Sequence, residues 1–120
     1  MGATYTDVTI SVLNGGKKSY QAKFLVDSGA TDSIVPSSEL KRIGIRKVGR
    51  ESYELADGRI VAFDFGLAQI KVMDRITAGR VIFGPDGVEP LLGVVVLESV
   101  AVKVNPVTRQ LEKLPAGMLK

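Results

Sequence analysis

Asp27 is the residue of this chain best placed to do chemistry. It ends the apolar run Phe24-Leu25-Val26 and is followed by Ser28, Gly29 and Ala30, which have some of the smallest side chains available. A carboxylate at the edge of a core is costly unless it is hydrogen-bonded, paired or used. Gly29 lets a backbone or a ligand approach closely, and Ser28 offers a short hydroxyl for local bonding. The plain alternative is a turn or cap residue at a strand end. That alternative explains Asp27 and Gly29 but not the Leu91-Leu92-Gly93 string that follows about sixty residues later.

The residues that are missing narrow the chemistry further. The 120-residue chain has no histidine and no cysteine. A disulfide framework, a thiolate nucleophile, a Ser-His-Asp triad and a zinc site built on His or Cys are therefore excluded. Acid-base catalysis would fall to Asp, Glu, Lys or Tyr. Sixteen Lys and Arg against 13 Asp and Glu give a net charge of only +3. The densest basic cluster (Lys41, Arg42, Arg46, Lys47, Arg50) reads as a solvated helix and loop face. A small barrel binding nucleic acid would rest on that charge alone, with no aromatic interleaving to support it. Met1 to Ile10 is polar and strand-like rather than a signal peptide, and no apolar run is long enough to span a bilayer.

The elements that must position Asp27 are mostly strands. Hydrophobic residues make up 45% and charged residues 24%, the balance of a globular domain with a core of its own. Val8, Ile10 and Val12 alternate with Asp7, Thr9 and Ser11, and Asn14-Gly15-Gly16 predicts a hairpin turn. Tyr20, Ala22, Phe24 and Val26 then alternate on a returning strand that ends at Asp27. Ile34-Val35-Pro36 is a short buried segment. Ser37 or Ser38 is expected to cap a helix running to Ile43, with Gly44 as its stop.

A second hairpin is expected from Glu51–Leu55 and Arg59–Phe65 around Ala56-Asp57-Gly58, followed by separate strands at Gly66–Val72 and Arg80–Phe83. Pro85-Asp86-Gly87 reads as a turn. Val94 to Val100 fits either a strand or one to two helical turns, and a last hairpin joins Val102–Val104 to Gln110–Leu114. No repeat or linker interrupts this order, so residues 1–120 are expected to form one domain.

Asp27-Ser28-Gly29-Ala30 behind an apolar strand, with Leu91-Leu92-Gly93 downstream and a hairpin over Glu54–Val61 between them, resembles the retropepsin-like aspartic proteases, particularly their small bacterial members. The resemblance implies an all-β, mostly antiparallel closed barrel with one or two short helices. It also implies hydrolysis of peptide bonds by a water held between two carboxylates. Two acids about 3 Å apart cannot both ionise, so they share a proton. This chain has one such loop: Asp57-Gly58 and Asp86-Gly87 are turn signals, and Asp32 is too close in sequence to be a symmetric partner. The expected unit is thus a C2 homodimer joined through the active-site face, with Asp27 meeting its symmetry mate.

The other roles follow from the same resemblance. Asp27, Ser28 and Gly29 form the catalytic loop, with Ser28 bonding across the dimer axis and Gly29 presenting its backbone. Ala30 and Thr31 border the substrate. Leu55, Ala56, Asp57, Gly58, Arg59 and Ile60 form a flap that closes over the peptide, and Leu91, Leu92 and Gly93 support the loop from beneath. Retroviral members carry an Asp where Thr31 stands and an Arg where Val94 stands, forming a salt bridge near the dimer interface. Both are replaced here, so no lone charge is left unpaired. The hairpin from Val102 to Leu114 is a candidate for a different way of holding the dimer. A peptide or unfolded protein is the expected substrate, with no metal, cofactor, nucleic acid or membrane and a cytoplasmic location. The competing function is a catalytically weak dimerisation or peptide-binding module on the same frame.

Overall fold

The computed structural model describes residues 2–117. Alternation sets the first hairpin. In β1 (Tyr5–Ser11) Val8 and Ile10 are buried, and β2 (Ser19–Val26) returns antiparallel with Ala22 opposite Val8 and Phe24 opposite Thr6. Gly15 supplies the positive φ of 78° in the connection. The chain continues through β3 (Ser33–Pro36), α1 (Ser37–Ile43), β4 (Gly49–Glu54), β5 (Ile60–Val72) and β6 (Arg75–Gly84). It ends with β7 (Leu91–Leu92), α2 (Val94–Ser99), β8 (Val102–Val104) and β9 (Leu111–Lys113).

Seven strands form one sheet in the order β1-β2-β7-β3-β6-β5-β4. β1 also pairs with β5, Ile10 lying opposite Ile70, so the pairing returns to its starting strand. Among the described residues β4 pairs with β5 alone and stands outside this circuit. The core within the circuit is built on Ile10, Phe24, Val35, Ile70, Val81 and Leu92, all essentially without solvent exposure. α1 adds Leu40 and Ile43 against β2, β3 and β6, while α2 adds Val96 and Leu97 and packs on β6 and β8. No helix among the described residues is long and apolar enough to cross a membrane.

Three expectations need correction. The strands expected on either side of Gly66 are one unbroken β5 of 13 residues. Gly66 marks a close crossing, not a break: a Cβ there would lie 2.5 Å from the Arg46 carbonyl oxygen. β6 begins five residues before Arg80, because Met73 and Asp74 (φ 50° and 67°) make a two-residue hairpin turn without glycine. The start of α1 has no side-chain cap from its own serines. Instead the Ser37 hydroxyl donates to the Gly84 carbonyl (2.7 Å), and the Ser38 N–H donates to Asp86 Oδ1 (3.1 Å). The parallel pairing of β3 with β6 brings the ends of these two strands together, so the turn after β6 supplies the acceptor.

The open choice at residues 94–100 resolves as helix. The last hairpin forms and is fastened to its own chain. Arg75 Nη1 donates to the Val100 and Ala101 carbonyls (3.0 and 2.9 Å), and its Nη2 donates to that of Leu114 (3.1 Å).

Candidate active site

β2 delivers Asp27 to its position through main-chain bonds on both edges. The Val26 N–H donates to the Thr4 carbonyl (2.8 Å), and the Leu25 and Asp27 N–H groups donate to the Pro90 and Leu92 carbonyls (both 3.0 Å). The parallel register Leu25–Leu91 and Val26–Leu92 is fixed because Leu92 is wholly buried; a slip by one residue would turn it out of the core. Beyond Asp27 the chain turns, the Ala30 N–H bonding the Asp27 carbonyl at 3.1 Å. The Gly29 N–H donates to Asp27 Oδ1 at 2.9 Å, which satisfies one carboxylate oxygen and orients the group. A Cβ on Gly29 would stand 3.2 Å from that same oxygen.

The far side of the loop is held by the start of α2. Val94 and Val95 N–H groups donate to the carbonyls of Ala30 (2.8 Å) and Thr31 (3.2 Å). The Gly93 N–H donates to the hydroxyl of Ser33, which is buried, at 3.0 Å. Gly93 has no room for a side chain: a Cβ would lie 2.7 Å from the Thr31 oxygen and from the Asp32 carbonyl carbon and oxygen. Thr31 and Val94, where the retroviral resemblance implied a salt bridge, thus lie in segments joined by backbone hydrogen bonds within one chain.

A cleft of about 880 Å³ opens between this loop and the β4–β5 hairpin. Asp27, Gly29, Ala30 and Thr31 line it from the loop, and Leu55 and Ala56 from the hairpin. Ile34, Phe63, Ile82 and Leu91 give it apolar walls. Ser28 is exposed beside the lining, while Leu92 and Gly93 are buried behind it. Asp57, Gly58, Arg59 and Ile60 continue past the cleft as an exposed tip, outside its lining. That tip is a compact turn. The Gly58 N–H bonds the Leu55 carbonyl (2.9 Å), the Leu55 N–H bonds that of Arg59 (2.8 Å), and Gly58 takes a φ of 87°. Asp57 accepts from the Arg59 N–H and guanidinium at 3.0 and 2.7 Å, which holds its carboxyl below the usual range.

The cleft also contains polar residues that the sequence reading missed. Tyr53 on β4 donates its hydroxyl to Asp32 Oδ2 at 2.6 Å. Burial, then Asp32 as acceptor and neighbouring charge, push the Tyr53 phenol up to about 12, against an opposing pull from Arg80. Arg80 donates to Glu51 Oε2 (3.2 Å) and lies over the Phe65 ring, 4.2 Å from its centroid. Glu51 and Tyr53 share one face of β4, and that period-two spacing was a usable signal for their common location. Asp32 carried no such signal, since its partner lies 21 residues away. Among the described residues no group of three or more acidic side chains is arranged to hold a metal ion.

A family model described as gag-polyprotein putative aspartyl protease matches residues 6–99, a span that takes in the loop, the hairpin and α2. No curated protein matches the chain closely enough to count as a relative.

Proposed function

We propose, from the premise that this chain belongs to the gag-polyprotein aspartyl protease family, that it is an aspartic endopeptidase whose site is completed by a second copy of itself. The observation that carries this reading is the setting of Asp27. Its carboxylate lines an open cleft with one oxygen bonded to Gly29, on a loop fixed by bonds to Leu92 and from Val94. Such a group is oriented, reachable by substrate and held still, as a catalytic carboxylate must be.

One carboxylate per chain is half of what the reaction needs. In the C2 pair one Asp27 is ionised and the other carries the shared proton. The ionised group takes a proton from water as the water oxygen bonds to the scissile carbonyl carbon. The protonated group gives its proton to the carbonyl oxygen. On collapse the newly protonated acid gives its proton to the leaving nitrogen, the other acid takes one back from a hydroxyl of the tetrahedral carbon, the C–N bond breaks, and the dyad again holds one shared proton. The two apparent pKa values belong to the pair, so neither is assigned to one copy.

The remaining residues have supporting roles. The exposed Ser28 hydroxyl bonds across the two-fold axis. Ala30 and Thr31 border the peptide, which lies extended in the cleft against β4. The hairpin from Leu55 to Ile60 closes over it, and the exposed apolar Ile60 gains cover when it does. The sheet circuit, in which β1 pairs with both β2 and β5, supports a closed retropepsin-like barrel. Main-chain bonds from Val94 and Val95 to Ala30 and Thr31 hold the catalytic loop within one chain.

The test is cleavage of an unfolded protein between about pH 3 and pH 8. The native chain should cleave it and Asp27→Asn should not. Equal rates for the two would rule out the dyad. Cleavage by neither, from a stable dimer, would instead identify a peptide-binding module.

A further inference from the structure

Two elements of this cleft are joined by a hydrogen bond that no role described so far requires. β4 is an edge strand outside the sheet circuit, paired with β5 alone among the described residues. Two of its side chains reach past β5 to the body of the protein: Glu51 to Arg80 on β6, and Tyr53 to Asp32. The second contact is the shorter, at 2.6 Å, and its acceptor stands five residues after Asp27 in the catalytic loop.

We propose that the Tyr53–Asp32 bond is a tether that sets the stem of the covering hairpin relative to Asp27, making Tyr53 and Asp32 positioning residues for peptide hydrolysis. The inference rests on the protease reading of the cleft. Both ends of the tether are well placed for this. The Asp32 backbone lies against Gly93 with no space for a Cβ between them, and the adjoining Thr31 carbonyl accepts from Val95. The Tyr53 ring packs against Phe63 at 6.3 Å between centroids, so the phenol reaches Asp32 from a braced position. A phenol keeps its proton throughout the range in which a dyad would operate, and burial with the Asp32 bond pushes the ionisation of Tyr53 further up, to about 12. A peptide entering the cleft therefore meets a hairpin whose stem is already in register with the acid, with closure left to the residues beyond Glu54.

Tyr53→Phe removes one oxygen and keeps the ring on Phe63, so the fold should survive. Amide hydrogen exchange over residues 51–60 should accelerate roughly five- to tenfold, as expected for a lost hydrogen bond to a charged acceptor at a partly exposed site. Exchange in the core strands β1 and β2 should not change. Asp32→Ala should give the same acceleration, the double variant no more than either single one, and Asp32→Asn less, because its amide oxygen still accepts. In kinetics, kcat should fall by about the same factor with KM little altered, since the tether acts on alignment and not on peptide affinity. Unchanged exchange in Tyr53→Phe, or additive effects in the double variant, would overturn the tether. Failure of the native chain to cleave would overturn the protease reading, while the exchange result would still decide the tether by itself.

Discussion

The loop carrying Asp27 and the hairpin beside it share one cleft but are held in opposite ways. From Val26 to Thr31 the loop is fixed by main-chain bonds to Thr4, Leu92, Val94 and Val95 and by the turn from Ala30 to Asp27, and it rests on a buried Leu92. The hairpin hangs from the single pairing of β4 with β5, steadied by a few side-chain contacts and ending in an exposed tip. A catalytic carboxylate gains from immobility, because a small misplacement is amplified exponentially in rate. A substrate cover has to open and close, so it is drawn from the weakly held part of the fold. On the proposed protease function, the acid that would react is thus held apart from the segment that would close, and the Tyr53–Asp32 bond joins the two.

The largest effect that sharpens this contrast is chemical. Asp27→Asn should lower cleavage by at least about a hundredfold, with the urea midpoint within error of the native value. A large loss of stability instead would make Asp27 a structural residue of the loop. Next comes a pair of glycine substitutions, one on each side of the cleft. Gly93→Ala forces a methyl group onto the backbone of Thr31 and Asp32 and should cost about 1–3 kcal/mol of global stability in urea titrations. Gly58→Ala meets no neighbouring atom, so its strain is confined to a left-handed φ at the hairpin tip. It should alter hydrogen exchange near residue 58 more than it alters the global midpoint. If the two variants lower the midpoint equally, loop and hairpin unfold as one unit and the contrast fails.

The smallest effect concerns the stem of the hairpin. Lys47 and Arg50 flank Asp64 on β5 at 3.2 and 2.9 Å and hold its carboxyl below the usual range. A depressed folded-state pKa contributes stability above the unfolded value near 3.9, and that stability is lost as pH falls through the folded value. The difference between the native chain and Asp64→Asn should therefore be small at neutral pH, reduced by salt, and lost as the pH falls through the lowered folded-state value. A difference that grows on acidification would have the wrong sign for this ion pair.

Sequence alone revealed much of the fixed side of the cleft. Phe24-Leu25-Val26-Asp27 and Leu91-Leu92-Gly93 carry their signals locally: an apolar run, an acid, and a glycine where backbones touch. The same holds for alternation in β1 and β2 and for Gly44 at the end of α1, where φ is 93°. The parts that were misread depend on partners distant in the chain. The turn at Met73-Asp74 lacks the usual glycine, so its positive φ values follow from the pairing of β5 with β6. The acceptor for Ser38 comes from Asp86, 48 residues away. Tyr53, Arg80 and Asp32 converge only after β4, β6 and the segment following Asp27 are packed. The place of Asp27 at the end of β2 could be read from its neighbours in sequence, whereas the contacts that steady the β4–β5 hairpin could not.

The central claim is that Asp27 is half a site, and mixing tests it most directly. Native chain and Asp27→Asn are combined at constant total concentration, allowed to exchange subunits, and assayed for cleavage. If each site needs two native copies of Asp27, activity follows the square of the native fraction, and about a quarter remains in an equal mixture. A linear decline, with about half remaining, would mean that one chain holds a complete site and would contradict the shared dyad.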